Sequence, residues 1–297
     1  MVKKVFIAGG TGFIGSSIIP ALLKEGYEVQ VLVRNKEKAK KLPSSCKVIW
    51  GNPTKSGEWQ KYLEETDIAI NLAGQNIFSR WTKAYKKLIL ESRIKSTENI
   101  VSSLKKSALL INASAVGYYG DKGDTLVTED SLPGDDFLAK TCIEWEKRAL
   151  KAKEKDAKII IARLGVVLGR TGGMLPKILP IFKLGLGGTL GKGNQWFPWI
   201  HIKDLVSAIL FLIKKEKEGI YNFVSPNPVT NKEFTKTLGK VLKRPTLLPV
   251  PVFMMKLIFG ELANIITCSI RAYPKNLLEL GFKFKFETIE DALKDLI

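Results

Sequence analysis

Up to Gly169, short apolar runs alternate with longer stretches in which apolar residues recur every three or four positions. Val5-Phe6-Ile7-Ala8 predicts a first strand. Ile14, Ile18, Ile19, Leu22 and Leu23 predict a helix that stops near Gly26. Glu28–Val33 alternates polar and apolar and predicts a second strand. Val48–Trp50, Asp67–Gly74, Leu109–Ala113, Lys158–Arg163 and Ile220–Val224 predict five more. Between the strands, Leu90, Ile94, Thr97, Val101 and Leu104 mark the buried stripe of one helix. Leu138, Cys142, Trp145 and Ala149 mark a second, and Leu205, Ala208, Ile209 and Leu212 a third, with Asp204 as its expected N-cap. Asn231 is the expected cap of the helix that follows. Alternating strands and helices predict an α/β fold, a doubly wound parallel sheet of the Rossmann type.

Beyond Gly169 the pattern changes. Gly172-Gly173, Gly185-Leu186-Gly187-Gly188 and Gly191-Lys192-Gly193 punctuate apolar residues, and Trp196-Phe197-Pro198-Trp199 follows. This reads as substrate-side loops with an aromatic wall. Leu247–Pro251 reads as extended, and the chain after it as a compact, mainly helical end. Residues 1–168 with 198–226 are assigned to a dinucleotide-binding domain. Residues 169–197 with 227–297 are assigned to a smaller C-terminal substrate domain.

The turn after the first strand carries the clearest chemistry. Gly9, Gly12 and Gly15 are spaced G-x-x-G-x-x-G. The first glycine permits a sharp strand-to-helix turn, the second a close approach of a pyrophosphate, and the third close packing of helix on sheet. Gly9, Gly12, Phe13, Ile14 and Gly15 are therefore the expected cradle for a diphosphate, held by free N–H groups and the helix dipole. Where an NAD site carries a carboxylate at the end of the second strand, this chain has Arg34. A guanidinium grips a 2′-phosphate, so NADP is expected over NAD. Ala73 and Gly74 are small enough for the adenosine half to lie against the end of the fourth strand. Arg93, on the flank of its helix, is a candidate cation for the diphosphate. At the end of the fifth strand, Ser114-Ala115-Val116-Gly117-Tyr118-Tyr119-Gly120 places three hydroxyls where doubly wound folds bind ligands.

Composition narrows the partners. The formal charge is +18, which attracts anions. Its lysines, however, are spread over many segments and form no aromatic-basic motif. Nucleic acid is not an expected partner. No apolar run reaches the ~18–20 residues of a membrane helix, so no membrane partner is expected either. Three scattered cysteines suit a reducing cytoplasm and argue against a disulfide framework or a zinc site. Met1-Val2-Lys3-Lys4 leads straight into a strand rather than a signal peptide. A small-molecule substrate is expected, and a homodimer is the assembly left open.

The glycine turn, Asn71-Leu72-Ala73-Gly74, Ser114–Gly120, Gly185–Gly188 and Trp196–Leu205 together resemble the epimerase-family branch of the atypical, extended-type short-chain dehydrogenase/reductases. The resemblance covers essentially the whole chain, including the C-terminal domain of unknown function typical of that branch. It implies an extended Rossmann fold, NADP as cofactor and a small C-terminal substrate domain. The cofactor contacts it implies fall on Arg34, Leu72, Ala73, Arg93 and a residue near Val167.

Related epimerases and reductases use a Ser or Thr together with Y-x-x-x-K. The tyrosine moves the hydroxyl proton, the lysine supports it and holds the ribose, and the serine orients the substrate oxygen. Ser114 matches the serine and Lys140 the lysine, but four residues before Lys140 stands Asp136, and Phe137 beside it has no hydroxyl. Three readings follow: Tyr118 or Tyr119 transfers the proton; His201, the only histidine, does; or the protein binds NADP without dehydrogenase chemistry, as a regulator or redox sensor. The first predicts an oxidoreductase or epimerase acting on a small hydroxyl- or carbonyl-bearing molecule, with a nucleotide sugar among the candidates.

Overall fold

The computed structural model describes residues 2–247 and 249–297. Seven strands form one parallel sheet: β1 (Lys4–Ala8), β2 (Glu28–Val33), β3 (Lys47–Trp50), β4 (Ile68–Asn71), β5 (Leu109–Ala115), β6 (Lys158–Leu164) and β7 (Gly219–Phe223). Their order is β3-β2-β1-β4-β5-β6-β7. The chain runs outward from β1 to β3, then returns to β4 on the other side. That reversal opens a crevice at the carboxyl ends of β1 and β4, where ligands of such sheets bind.

The strands are mainly apolar on both sides because both faces of the sheet are covered. In β1 the two faces separate by parity. Val5 and Ile7 join Val29, Val31 and Ile70 beneath α1 (Phe13–Lys24), while Phe6 and Ala8 join Leu32 and Ala69 on the opposite side. That second side is roofed by α2 (Lys83–Ser103) and α3 (Phe137–Leu150). The buried stripe of α2 is Ile89, Ser96, Thr97, Ile100 and Val101. Thr97 and Val101 of the expected stripe lie on it and Leu104 is buried just beyond, while Leu90 and Ile94 fall at its margin. Beneath it runs a polar layer. Asn71 Nδ2 donates to Thr97 Oγ1 (2.9 Å) and Asn112 Oδ1 (2.8 Å), and Trp145 Nε1 donates to Thr97 Oγ1 (2.9 Å). A buried amide needs partners, and Thr97 supplies one from α2.

The rest of the chain packs α4 (Leu175–Lys183), α6 (Asn231–Leu242) and the terminal helix Ile289–Leu296 into a further core with Trp199, Phe234 and Leu293. Before α6 comes α5 (Ile202–Lys214), on the α1 side of the sheet. The caps differ from those expected. His201 caps α5, its Nδ1 accepting from Lys203 N–H at 3.0 Å. Buried Asp204 instead accepts from Lys285 and Phe286 N–H, both at 2.9 Å, and ties the C-terminal segment to α5. Thr230 caps α6 with a Glu233 capping box, while Asn231 accepts from Leu190 N–H. Helix α7 (Val252–Phe259) follows the stretch expected to be extended. Within that stretch Leu248 lies outside the described residues.

Candidate functional site

The glycine turn has the geometry of a cradle. Gly9 adopts φ +83°, which favours glycine, and a Cβ there would sit 2.7 Å from the Leu72 carbonyl. A Cβ on Gly15 would meet Gly10 Cα and Gly9 O at 2.5 Å, so α1 rests directly on the turn. Gly12 is the N-cap of α1 and provides no capping side chain, and the first turn holds no acid. Among the described residues the N–H groups of Phe13, Ile14 and Gly15 find no acceptor. They are the orphan donors of a helix start, with the positive end of the helix dipole behind them. The Phe13 ring is wrapped by the loop after Val167. A Cβ on Gly169 or Gly172 would fall within 2.5 Å of that ring, which accounts for the glycines there. Val167 itself is buried, paired in a short parallel ladder with Ile200.

Arg34 is exposed just past β2 and takes no ion pair or hydrogen bond among the described residues. Its neighbour Asn35 caps the short helix Lys36–Ala39, accepting from Lys38 N–H. Leu72 extends β4, its N–H donating to Ala8 O. Ala73 N–H donates to Asn71 Oδ1 at 3.2 Å, so the buried amide layer also sets the chain direction at Leu72–Gly74. Arg93 is not a surface arginine. Its guanidinium lies against Gly74, donates to Gln75 O (3.1 Å) and Ile89 O (3.0 Å), and stacks over Trp145 at 5.1 Å. The structure thus brings Gly9–Gly15, Leu72–Gly74 and Arg93 to one end of the sheet.

The hydroxyls behave differently from one another. Ser114 is buried and donates to Glu146 Oε1 at 2.5 Å. The Glu146 carboxylate in turn accepts from Arg163 Nε and Nη2, each at 2.9 Å. Arg163 Nη1 donates to Tyr119 Oη (3.0 Å) and Glu129 O (3.2 Å), and Tyr119 donates to Asn222 Oδ1 (2.7 Å). Tyr119 is fully buried, and burial pushes its phenol up to about 12 against the pull of Arg163. Burial alone would lower the Arg163 pKa, but hydrogen bonds to Glu146 outweigh it and hold the guanidinium firmly charged. Ser114 and Tyr119 are therefore members of a closed polar network that ties β5, β6, β7 and α3 together. Tyr118 is only partly buried. Its ring lies over the Arg163 guanidinium at 3.5 Å, and its hydroxyl makes no hydrogen bond among the described residues.

Asp136, at the place of the usual tyrosine, is the N-cap of α3. Its Oδ1 accepts from Leu138 N–H (2.7 Å) and Ala139 N–H (2.9 Å). Lys140, one turn on, is exposed and has no ionic partner among the described residues. His201 is fully buried, stacked on Phe286 at 3.9 Å, with Nε2 facing the Asp295 carboxylate at 3.3 Å. Burial lowers its pKa to about 4 against the pull of Asp295, so it stands as a neutral strand-to-helix anchor.

The network of Glu146, Arg163, Glu129 and Asn222 was missed at the level of sequence. One signal was present: a charged residue, Arg163, inside the apolar run of β6, where an ionised side chain needs a buried partner.

The model of the NAD dependent epimerase/dehydratase family matches residues 5–223. The chain belongs to that family. A second model, a domain of unknown function, matches residues 250–296. Curated relatives include the chloroplastic epimerase family protein SDR39U1 homolog of Arabidopsis thaliana, 38% identical over 99% of this chain and 86% of its own. Epimerase family protein YfhF of Bacillus subtilis is 38% identical over 99% of this chain and 97% of its own. Among solved structures, the human epimerase family protein SDR39U1 with NADPH superposes with a TM-score of 0.87, at 32% identity and over 99% of this chain and 98% of its own. A Thermus thermophilus UDP-glucose 4-epimerase with NAD shares the fold at a TM-score of 0.76 and 19% identity. The family places this chain among NAD(P)-dependent, short-chain-dehydrogenase-like proteins with an epimerase-type fold. No helix among the described residues is long and apolar enough to cross a membrane.

Proposed function

We propose that the protein is an NADP(H)-dependent oxidoreductase or epimerase that acts on a small hydroxyl- or carbonyl-bearing substrate. The observation that carries this reading is the bare N-terminus of α1 above Gly9 and Gly12, with the unpaired Arg34 at the end of β2. The free N–H groups of Phe13, Ile14 and Gly15 suit a diphosphate, and the Arg34 guanidinium suits a 2′-phosphate. The human relative solved with NADPH supports the same cofactor. When bound, the nicotinamide supplies or accepts a hydride. The chain's own groups do the rest. Leu72–Gly74 give the adenosine half a surface, and Lys140 holds ribose hydroxyls. Tyr118, the hydroxyl of the three that is not engaged in the buried network, gives or takes the substrate proton. Ser114 and Tyr119 stiffen the floor of the site rather than touch substrate.

A second reading is a non-catalytic NADP-binding regulator. It is favoured by one observation: both Ser114 and the Asp136 position are committed to structural hydrogen bonds. Two measurements test the pair of readings. Titration with NADPH and NADH should show NADPH preferred, and Arg34→Ala should weaken NADPH at least about tenfold while leaving NADH nearly unchanged. Oxidation of bound NADPH by a panel of carbonyl compounds and sugar nucleotides should then find a substrate. Tight NADPH binding with no oxidation across the panel would replace the enzyme with the regulator.

A further inference from the structure

Seven of the sixteen exposed large hydrophobic side chains among the described residues fall in two short segments of the substrate region. Leu184 and Leu186, after α4, are 74% and 56% exposed, and Leu247, Phe253, Met254 and Leu257 are 83%, 70%, 43% and 79% exposed. Of the α7 side chains described, only Met255 is buried. The two segments lie side by side. Val250 N–H donates to Thr189 O at 2.7 Å, and Gly191 N–H donates to Val250 O at 2.9 Å. A Cβ on Gly191 would be 2.9 Å from Val252 Cγ2, and one on Gly185 would be 3.5 Å from Pro245 Cγ.

Along these two segments the charge is one-sided, with Asp124 and Glu261 standing at their border. From Arg170 to Lys203, and again from Phe234 to Gly260, the chain contains no Asp or Glu. The same segments expose Lys183, Lys192, Lys243, Arg244 and Lys256. An apolar patch of this kind marks an interaction surface. A second copy would set two cationic faces of a +18 chain against each other. Apolar side chains standing outward with cations beside them instead suit a bilayer, whose headgroup–acyl boundary takes up the apolar groups while its headgroups meet the cations. Anionic headgroups supply the missing counter-charge.

We propose that α7 and the adjoining Leu184–Leu186 segment dock the protein on an anionic lipid bilayer. Phe253, Leu257 and Leu247 enter the boundary between headgroups and acyl chains, and the flanking cations meet the headgroups. No membrane partner was expected from the sequence for want of a spanning run, and a surface of this kind needs none. After α7 the chain passes through Gly260 to Leu262, which packs with Trp81 and with Leu138 on the first turn of α3.

The full chain is tested by co-sedimentation with vesicles of mixed phosphatidylglycerol and phosphatidylcholine, and with phosphatidylcholine alone. Partition into mixed vesicles should be at least about tenfold stronger and should fall with added salt. The double variant Phe253→Ser/Leu257→Ser should lose about tenfold or more, while Leu132→Ser, 78% exposed elsewhere, should change nothing. An unchanged NADPH titration shows that each variant is folded. Equal or absent partition into the two vesicle types overturns the proposal. So does mixed-vesicle binding that survives the double variant, which would be bare charge attraction. A lipid-free dimer abolished by the double variant would assign the face to a second copy and overturn it too.

Discussion

Two glycines of one motif do different work, and single substitutions separate them. A Cβ on Gly15 meets backbone at 2.5 Å, whereas one on Gly12 meets only Gly9 O, at 3.2 Å. Gly15→Ala should destabilise the fold by about 1–3 kcal/mol. Gly12→Ala should fold nearly normally and lose NADP(H), because it fills the space above the helix start. Urea midpoints beside fluorescence titrations show which loss dominates in each. The two adjacent tyrosines separate in the same way. Tyr119→Phe strips a partner from Arg163 and Asn222 and should cost about 1–3 kcal/mol of stability. Tyr118→Phe removes a hydroxyl with no protein partner. It should leave the urea midpoint in place while lowering kcat by about a hundredfold or more on a substrate found in the panel. The reverse pattern would give the proton transfer to Tyr119.

At the level of elements, the Glu146–Arg163 pair joins α3 to β6. Both side chains are almost wholly buried, at 6% and 2% exposure. A buried pair contributes little net stability, but removing one partner strands the other charge. Glu146→Gln should therefore cost about 3–5 kcal/mol, read as a fall in the urea midpoint. A shift no larger than that of a surface substitution would mean that water or another group reaches Arg163. The helix caps show how the elements came to be placed. Asp136 stands where related enzymes carry tyrosine, and it satisfies two N–H groups at the start of α3. The helix gains a cap there, and under the proposed enzymatic reading the acid/base group comes from another element.

Across the whole molecule, His201, at the end of the short strand Trp199–His201, links α5 and the terminal helix through Lys203 and Asp295. Its pKa in the fold is about 4, against 6.5 ordinarily, because burial penalises the charged ring. Below about pH 6.5 the unfolded chain takes a proton that the folded chain refuses. Its contribution is thus complete above that pH and is lost as pH falls toward 4, by on the order of 3 kcal/mol. His201→Asn keeps a capping acceptor and should flatten the stability profile between pH 7 and 4. Parallel profiles for the two proteins would assign the slope to other groups.

The parity of β1, the periodicity of α1 and α3 and the spacing of Gly9, Gly12 and Gly15 are local, and they were enough to determine a doubly wound α/β fold with a dinucleotide turn. They encode which side of an element is buried and where a backbone must come close, and neither depends on distant partners. That Ile89, Ser96 and Ile100, rather than Leu90 and Ile94, complete the face of α2 beside Thr97 and Val101 was not legible. Nor were the roles of Ser114, Tyr118 and Tyr119. Three hydroxyls within six residues look alike in sequence, and only the arrival of Glu146, Arg163 and Asn222 from α3, β6 and β7 engages two of them and leaves one open. Tertiary structure decided which groups remain available for chemistry, because a polar group brought into the interior must first be paired.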